Sequence, residues 1–458
     1  MNVLILTNSK ISSGAGVIAK NFKEALENQG VGVKILVNQY SEESEDVINM
    51  QSPSETRLIS FIRELVHNKL VKNTLLKGIL LFSKIFKYSN SFVFKSIHKS
   101  KYSIQDVDQT KSIYKSELLY TKISNFKPDA IIVLFMQNFV NYKNLYDLRE
   151  YYDQIPICVS LLDMAPITGG CHYTWDCLGY QNNCKSCPAV PTQFNQKIEN
   201  NLKFKNHYAT EGDFNFIYSS EYQKDVLDKS VISSVNRKYK IPLPTNEKYF
   251  FNNEQLRENT RIELGYNIED IVLFFGAMNL TDPRKGGTLL FEIVKEMIDN
   301  EELNRLKFLI IGSNSQKFKE FIPKNRLICL DMIPPSDLPK YYNVADLFLS
   351  PSIEDAGPMM VNQSLMCGTR VCAFEIGVAL DMIKPNKECG RCSKNIDSED
   401  LYESIRDEVL FQQKNNRDSL RKKCAETAFP ITSKSAVSEK WITTLNTILK
   451  EQEKNVKR

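Results

Sequence analysis

The chain carries little net charge. A surplus of +4 over 458 residues is too small to call for a nucleic-acid partner. No apolar run approaches the ~20 residues that a spanning helix needs. The N-terminus, Met1-Asn2-Val3-Leu4-Ile5-Leu6-Thr7, lacks the basic start and cleavage-type tail of a secretory leader and reads as a first buried strand. These absences imply a cytoplasmic chain. In that compartment its 11 cysteines argue for thiols or metal, not a disulfide framework. A full dinucleotide fingerprint is missing too. The loop Ser12-Ser13-Gly14-Ala15-Gly16 has no acidic partner ~20 residues on, at the end of the second strand. What remains is an ordinary globular composition, 42% hydrophobic and 25% charged. The length suggests two or three domains with ample core.

Val3–Leu6, the glycine loop, a helical pattern through Val17, Ile18, Phe22, Ala25 and Leu26, a stop at Gly30, and Val33–Val37 make a β-loop-α-β unit of the doubly wound type. Gly14 and Gly16 permit close approach of backbone to a phosphate. Residues 41–56 are polar and read as a loop. Residues 57–102 hold ten Lys or Arg, one acid (Glu64) and interleaved Leu, Ile and Phe. That mixture suits a surface helix on an anionic bilayer; an ordinary helical insertion with solvated lysines is the alternative.

Ile131–Phe135 and Ile155–Leu162 read as buried parallel strands. At the end of the second comes Asp163, followed by Thr168-Gly169-Gly170-Cys171-His172-Tyr173. Cys171, Cys177, Cys184 and Cys187 follow the spacing C-x5-C-x6-C-x2-C. Four thiolates so close can surround one tetrahedral zinc, with His172 as an alternative ligand and no position left open for water, so that metal would be structural. Free thiols or two disulfides are the other readings. A zinc-dependent nucleic-acid module would need basic residues here, and only Lys185 lies inside the cluster. Phe214–Tyr218 reads as the last strand of the first domain.

The second half opens its sheet with Ile271–Gly276. The loop after it, Ala277 to Gly287, carries Arg284 and Lys285 before two glycines and a helix start, a flexible cationic anion site. Leu306–Gly312 and Leu347–Leu349 are further strands. After the latter come Glu354 and Asp355, a turn at Gly357-Pro358, a short helix pattern through Met366, and Gly368 as its stop. Paired carboxylates at the carboxyl end of a strand in an α/β sheet stand where ligands bind.

The stretch Pro351–Thr369 resembles the donor-sugar motif of retaining GT-B glycosyltransferases, glycosyltransferase family four. The family's two carboxylates, eight residues apart, fall here on Asp355 and Gln363, before Cys367-Gly368-Thr369. The resemblance implies that Asp355, or its neighbour Glu354, contacts the donor sugar. It implies that Gln363 and the Gly357 turn help hold the nucleotide. It also implies that Lys285, with Arg284 replacing the family's usual Arg, grips the donor diphosphate, and that Gly14 and Gly16 lie near donor phosphate and acceptor. The 163–173 segment is similar to that of a bacterial surface-polysaccharide branch, with Leu162 where the family has His and Ala165 where it has Trp. Asp163 is then a candidate contact to sugar or acceptor.

From this resemblance an α/β GT-B fold is expected, two Rossmann-like doubly wound domains facing across a cleft. The expected division is 1–243 on the acceptor side, 250–430 on the donor side, and 431–458 as C-terminal helix and tail. The implied activity is retaining transfer of a sugar from a nucleotide diphosphate to a hydroxyl of a glycan, lipid-linked in this branch, at the inner face of the plasma membrane. No catalytic metal and no nucleic acid are implied. The alternative is a catalytically silent GT-B protein that binds a nucleotide-sugar or glycan.

Overall fold

The computed structural model describes residues 1–12, 15–42, 44–56, 101–104, 106–233, 236–303 and 305–456. Gly14 and nearly all of the basic 57–102 stretch lie outside them. The described chain divides into two compact units: Met1–Ser219 with Gln223–Ile241 and Ser438–Arg458, and Ser220–Tyr222 with Pro242–Val437.

The first unit is built on β1 (Asn2–Thr7), β2 (Gly32–Val37), β3 (Val47–Asn49), β4 (Ala130–Phe135), β5 (Ile157–Ser160), β6 (Asn215–Tyr218) and β7 (Lys238–Lys240). They form one parallel sheet in the order β3-β2-β1-β4-β5-β6-β7. β1, β4 and β5 are almost wholly apolar and buried, as strands covered on both faces must be. Two elements escaped the sequence pattern. β3 lies in the polar 41–56 stretch, and all three of its residues are only half-buried, so it carries no alternation to read. β7 follows β6, so Phe214–Tyr218 is not the last strand; Lys-Tyr-Lys at a sheet edge is likewise half-exposed. The C-terminal helix Lys434–Val456 sends Trp441 into this unit, where it is fully buried, its ring edge-on to Phe22 with centroids 5.5 Å apart.

The second unit repeats the pattern with β8 (Ile271–Asn279), β9 (Leu306–Ser313), β10 (Leu327–Leu330), β11 (Leu347–Ser350), β12 (Arg370–Phe374) and β13 (Gly390–Ser393). All pair in parallel, in the order β10-β9-β8-β11-β12-β13. Alternation along β8 splits its side chains between two cores. Ile271, Leu273 and Phe275 pack with the helix Gly287–Asp299, while Val272 and Phe274 pack with the helix Met359–Met366. Both sheets reverse their winding between the first and fourth strands, β1 and β4 in one and β8 and β11 in the other. That switch opens a crevice at the strands' carboxyl ends, where ligands bind in such sheets.

Candidate functional site

The switch point of the second sheet is flanked by the loops leaving β8 and β11. The loop after β8 ends in a tight turn, Pro283–Lys285. Asp282 caps it: its Oδ1 accepts the Arg284 backbone N–H at 3.0 Å and its Oδ2 accepts from the Arg284 guanidinium at 2.7 Å. An Asp before a Pro-led turn is a cap that the sequence carries openly. Gly286 then takes φ +66°, and a Cβ there would sit 1.8 Å from the Pro351 carbonyl oxygen. Only glycine allows that approach. Ile353 N–H donates to the Arg284 carbonyl at 2.8 Å. The two loops are thereby laced together.

That lacing brings together the residues the sequence singled out. The Lys285 ammonium forms an ion pair with Asp355 Oδ2. Asp355 Oδ1 accepts the Gly357 N–H at 3.1 Å, which shapes the turn before the helix Met359–Met366. Glu354 and Asp355 are both buried, and the Tyr222 hydroxyl donates to Glu354 Oε2 at 3.3 Å. Gln363, half-buried on that helix, accepts from the Tyr342 hydroxyl at 3.1 Å. The helix Gly287–Asp299 begins directly after Lys285 and Gly286, so its free N–H groups add to the positive field of Lys285 and Arg284. The cluster offers two cations and a helix N-terminus for an anion. It also offers two carboxylates and an amide for hydroxyl groups.

Beneath it, Asp346 at the entry to β11 is buried among Arg257, Arg261 and Arg417 and accepts the Val272 N–H at 2.8 Å. Burial alone would raise its carboxyl pKa; the three guanidiniums outweigh that and hold it far below the usual carboxylate range. Asp346 thus ties the start of β8 to the start of β11.

In the first unit Asp163 stands at the carboxyl end of β5. It is buried, its Oδ1 accepts the Ala165 N–H at 2.9 Å, and its Oδ2 pairs with His172 Nδ1. His172 stacks on Phe135 with ring centroids 5.7 Å apart. Its Nε2 is buried and has no hydrogen-bond partner among the described residues. The sequence reading treated these two residues separately; their spacing in the chain gives no sign of the pairing. Gly16, in the first turn of the helix Ala15–Glu27, lies against the Lys10 carbonyl, which a Cβ would approach to 2.0 Å.

Cys171, Cys177, Cys184 and Cys187 line one small cavity in the same unit. None of the chain's cysteines is in a disulfide. Burial pushes the Cys184 thiol up to about 11 and the Cys171 thiol higher still. Among the described residues no three Cys, His, Asp or Glu side chains are drawn together tightly enough to hold a metal ion.

Residues 269–408, the core of the second unit, match the family model described as glycosyl transferases group 1. A curated relative, D-inositol 3-phosphate glycosyltransferase of Corynebacterium glutamicum (strain R), is 28% identical over 142 residues, 29% of this chain and 33% of that protein. The chain therefore matches about a third of that relative's length. Among solved structures, sucrose-phosphate synthase from Thermosynechococcus elongatus superposes with a TM-score of 0.64 at 14% identity, covering 98% of this chain and 99% of that one. Anabaena HepE in complex with UDP-glucose does so with a TM-score of 0.56 at 14% identity, covering 98% and 100%. These likenesses and the two parallel Rossmann-like sheets establish a two-domain α/β fold of the GT-B type.

Proposed function

We propose that the protein is a glycosyltransferase that moves a sugar from a nucleotide-diphosphate donor to a hydroxyl group. The carrying observation is the Lys285–Asp355 pair between the loops leaving β8 and β11, inside the stretch that matches glycosyl transferases group 1. In this reading the donor diphosphate displaces Asp355 from Lys285. Lys285, Arg284 and the N-terminus of the helix Gly287–Asp299 then neutralise the charge that builds on the leaving diphosphate. Glu354 and Asp355 accept hydrogen bonds from the donor sugar, and Gln363 from the ribose. No metal is needed for catalysis, because those cations take its place.

Retention of anomeric configuration and a lipid-linked glycan acceptor in bacterial surface-polysaccharide assembly follow from the resemblance of 163–173 and 351–369 to that branch of family four. Peripheral contact of 57–102 with an anionic membrane, at its cytoplasmic face, follows from composition alone. Residues 1–243 would serve the acceptor and 250–430 the donor. A neighbour solved with UDP-glucose makes uridine diphosphate the first nucleotide to try.

One observation favours a second reading, a silent nucleotide-sugar-binding protein: Leu162 and Gln363 replace a His and a Glu of the motif. Mass spectrometry of nucleotide-sugars incubated with the protein and with glycan acceptors separates the two. Transfer, or hydrolysis of one donor, that is lost in Lys285→Ala supports the enzyme. Binding of a donor that stays intact throughout contradicts it.

A further inference from the structure

We infer that Cys171, Cys177, Cys184 and Cys187 form a structural zinc site in the first unit, closed by small side-chain rotations when the metal binds. The inference stands apart from the donor chemistry. Its residues belong to the other unit, and its test does not need activity.

Four observations carry it. First, the four cysteines line one small cavity of about 10 Å³, with Ile104, Tyr180, Ser186 and Ile198 among its other walls. That is about the room one water-sized sphere occupies. Each sulfur lies within electrostatic reach of the other three. Second, one of these sulfurs accepts a backbone hydrogen bond. Gly179 N–H donates to Cys177 Sγ at 3.4 Å. A thiol is a weak acceptor and a thiolate a good one, and metal-bound cysteines are thiolates. Third, the backbone is bent to present them. Cys184 takes φ +54°, a region that non-glycine residues rarely adopt and keep only where the surroundings hold them there. A Cβ on Gly169 would come 3.2 Å from Cys184 Sγ, and one on Gly179 3.4 Å from Cys177 Sγ and 3.7 Å from Cys184 Sγ.

Fourth, a buried cation waits beside the cluster. Lys205 is buried. Its ammonium donates to the carbonyls of Ala165 and Thr168 at 2.7 and 3.0 Å, and among the described residues it forms no salt bridge. It lies within electrostatic reach of Cys171, Asp106, Cys184 and Asp163. A buried charge needs a partner. Four thiolates around one divalent zinc leave a net charge of about −2, and Lys205 is placed to offset part of it.

The zinc would close the loop 171–187 on itself with all four positions filled, which makes it structural. The test is elemental analysis of the full-length protein, purified without added metal or chelator, followed by cobalt exchange. We expect about one zinc per chain, released by a mercurial thiol reagent. The cobalt form should show the intense sulfur-to-metal charge-transfer band and tetrahedral ligand-field bands of thiolate ligation. Cys187→Ser should lose the metal. Cys392→Ser, in the chain's other C-x2-C pair, should keep it. If Cys187→Ser fails to fold, the wild-type stoichiometry and cobalt spectrum still decide. Zinc below a tenth of an equivalent after reduction and zinc addition, or disulfides among these four cysteines by mass spectrometry of the freshly isolated chain, would overturn the inference.

Discussion

Lys285 and Asp355 are seventy positions apart in the chain and form one ion pair, although the sequence assigns them to opposite ends of a donor. The Asp355 side chain is 8% exposed and that of Lys285 28%. The carboxylate is therefore committed and the cation still reachable. A diphosphate arriving at Lys285 competes with Asp355 and frees it for a sugar hydroxyl.

Lys285→Ala should lower transfer by about 10²–10³-fold, the usual loss when one charge-stabilising group is removed. It should also cost about 1–3 kcal/mol of stability, because a buried carboxylate loses its partner. Steady-state kinetics and chemical denaturation measure the two. A variant with unchanged kcat would contradict the role given to Lys285.

The two carboxylates can be told apart. Asp355 holds Lys285 and the Gly357 N–H, whereas Glu354 accepts from the Tyr222 hydroxyl. Asp355→Asn should therefore change affinity for the bare nucleoside diphosphate. Glu354→Gln should leave that affinity within about twofold and alter only affinity for the nucleotide-sugar, by the ~1.5–3 kcal/mol of a charged hydrogen bond. Isothermal titration with both ligands reads the difference. Equal effects of the two substitutions on the bare diphosphate would contradict this assignment.

Much of this was legible in the sequence. Buried parallel strands write themselves as apolar runs, so β1, β2, β4, β5, β6, β8, β9 and β11 could be read directly. The short half-exposed edge strands β3, β7, β10 and β13 could not. Their burial patterns are mixed or wholly intermediate, and an edge strand is selected by its one neighbour. Lys285, Glu354 and Asp355 could be picked out because each lies close to a turn signal, Gly286 or Gly357, whereas Gln363, inside the helix Met359–Met366, was singled out only by its eight-residue spacing from Asp355 in the family resemblance. Contacts between distant segments were not. Nothing local announces that Asp163 meets His172, that Tyr342 bonds Gln363, or that Gly286 rests on Pro351.

That last contact gives a sharp prediction. Gly286→Ala adds a Cβ 1.8 Å from a backbone oxygen at φ +66°, a clash no side-chain rotation relieves. The cost should be about 1–3 kcal/mol. The loop must also move away from β11, so donor affinity should fall along with the melting temperature. Gly265→Ala shares a positive φ with nothing near its Cβ; it should keep donor affinity unchanged. Equal donor affinity in the two variants would contradict the lacing of the two loops.

Asp346 sets an acid limit. Its folded carboxyl titrates below the unfolded value of about 3.9, so its contribution is present above that value and lost as pH falls through it toward the folded one. Asp346→Asn leaves Arg257 and Arg261 buried without a counter-charge and should cost about 3–5 kcal/mol at neutral pH. The gap between wild type and variant should narrow on acidification below about pH 4. Denaturant midpoints from pH 7 down to pH 3 test this; a constant gap would contradict it.

The central claim is a nucleoside-diphosphate site at Lys285, and the most direct measurement is the melting temperature with UDP, GDP, ADP and CMP in turn. A ligand that binds only the folded protein stabilises it by about 2.7 kcal/mol at a hundred times its Kd. The account predicts a rise with one diphosphate that is absent in Lys285→Ala. No rise with any nucleotide, or the same rise in Lys285→Ala, would contradict it.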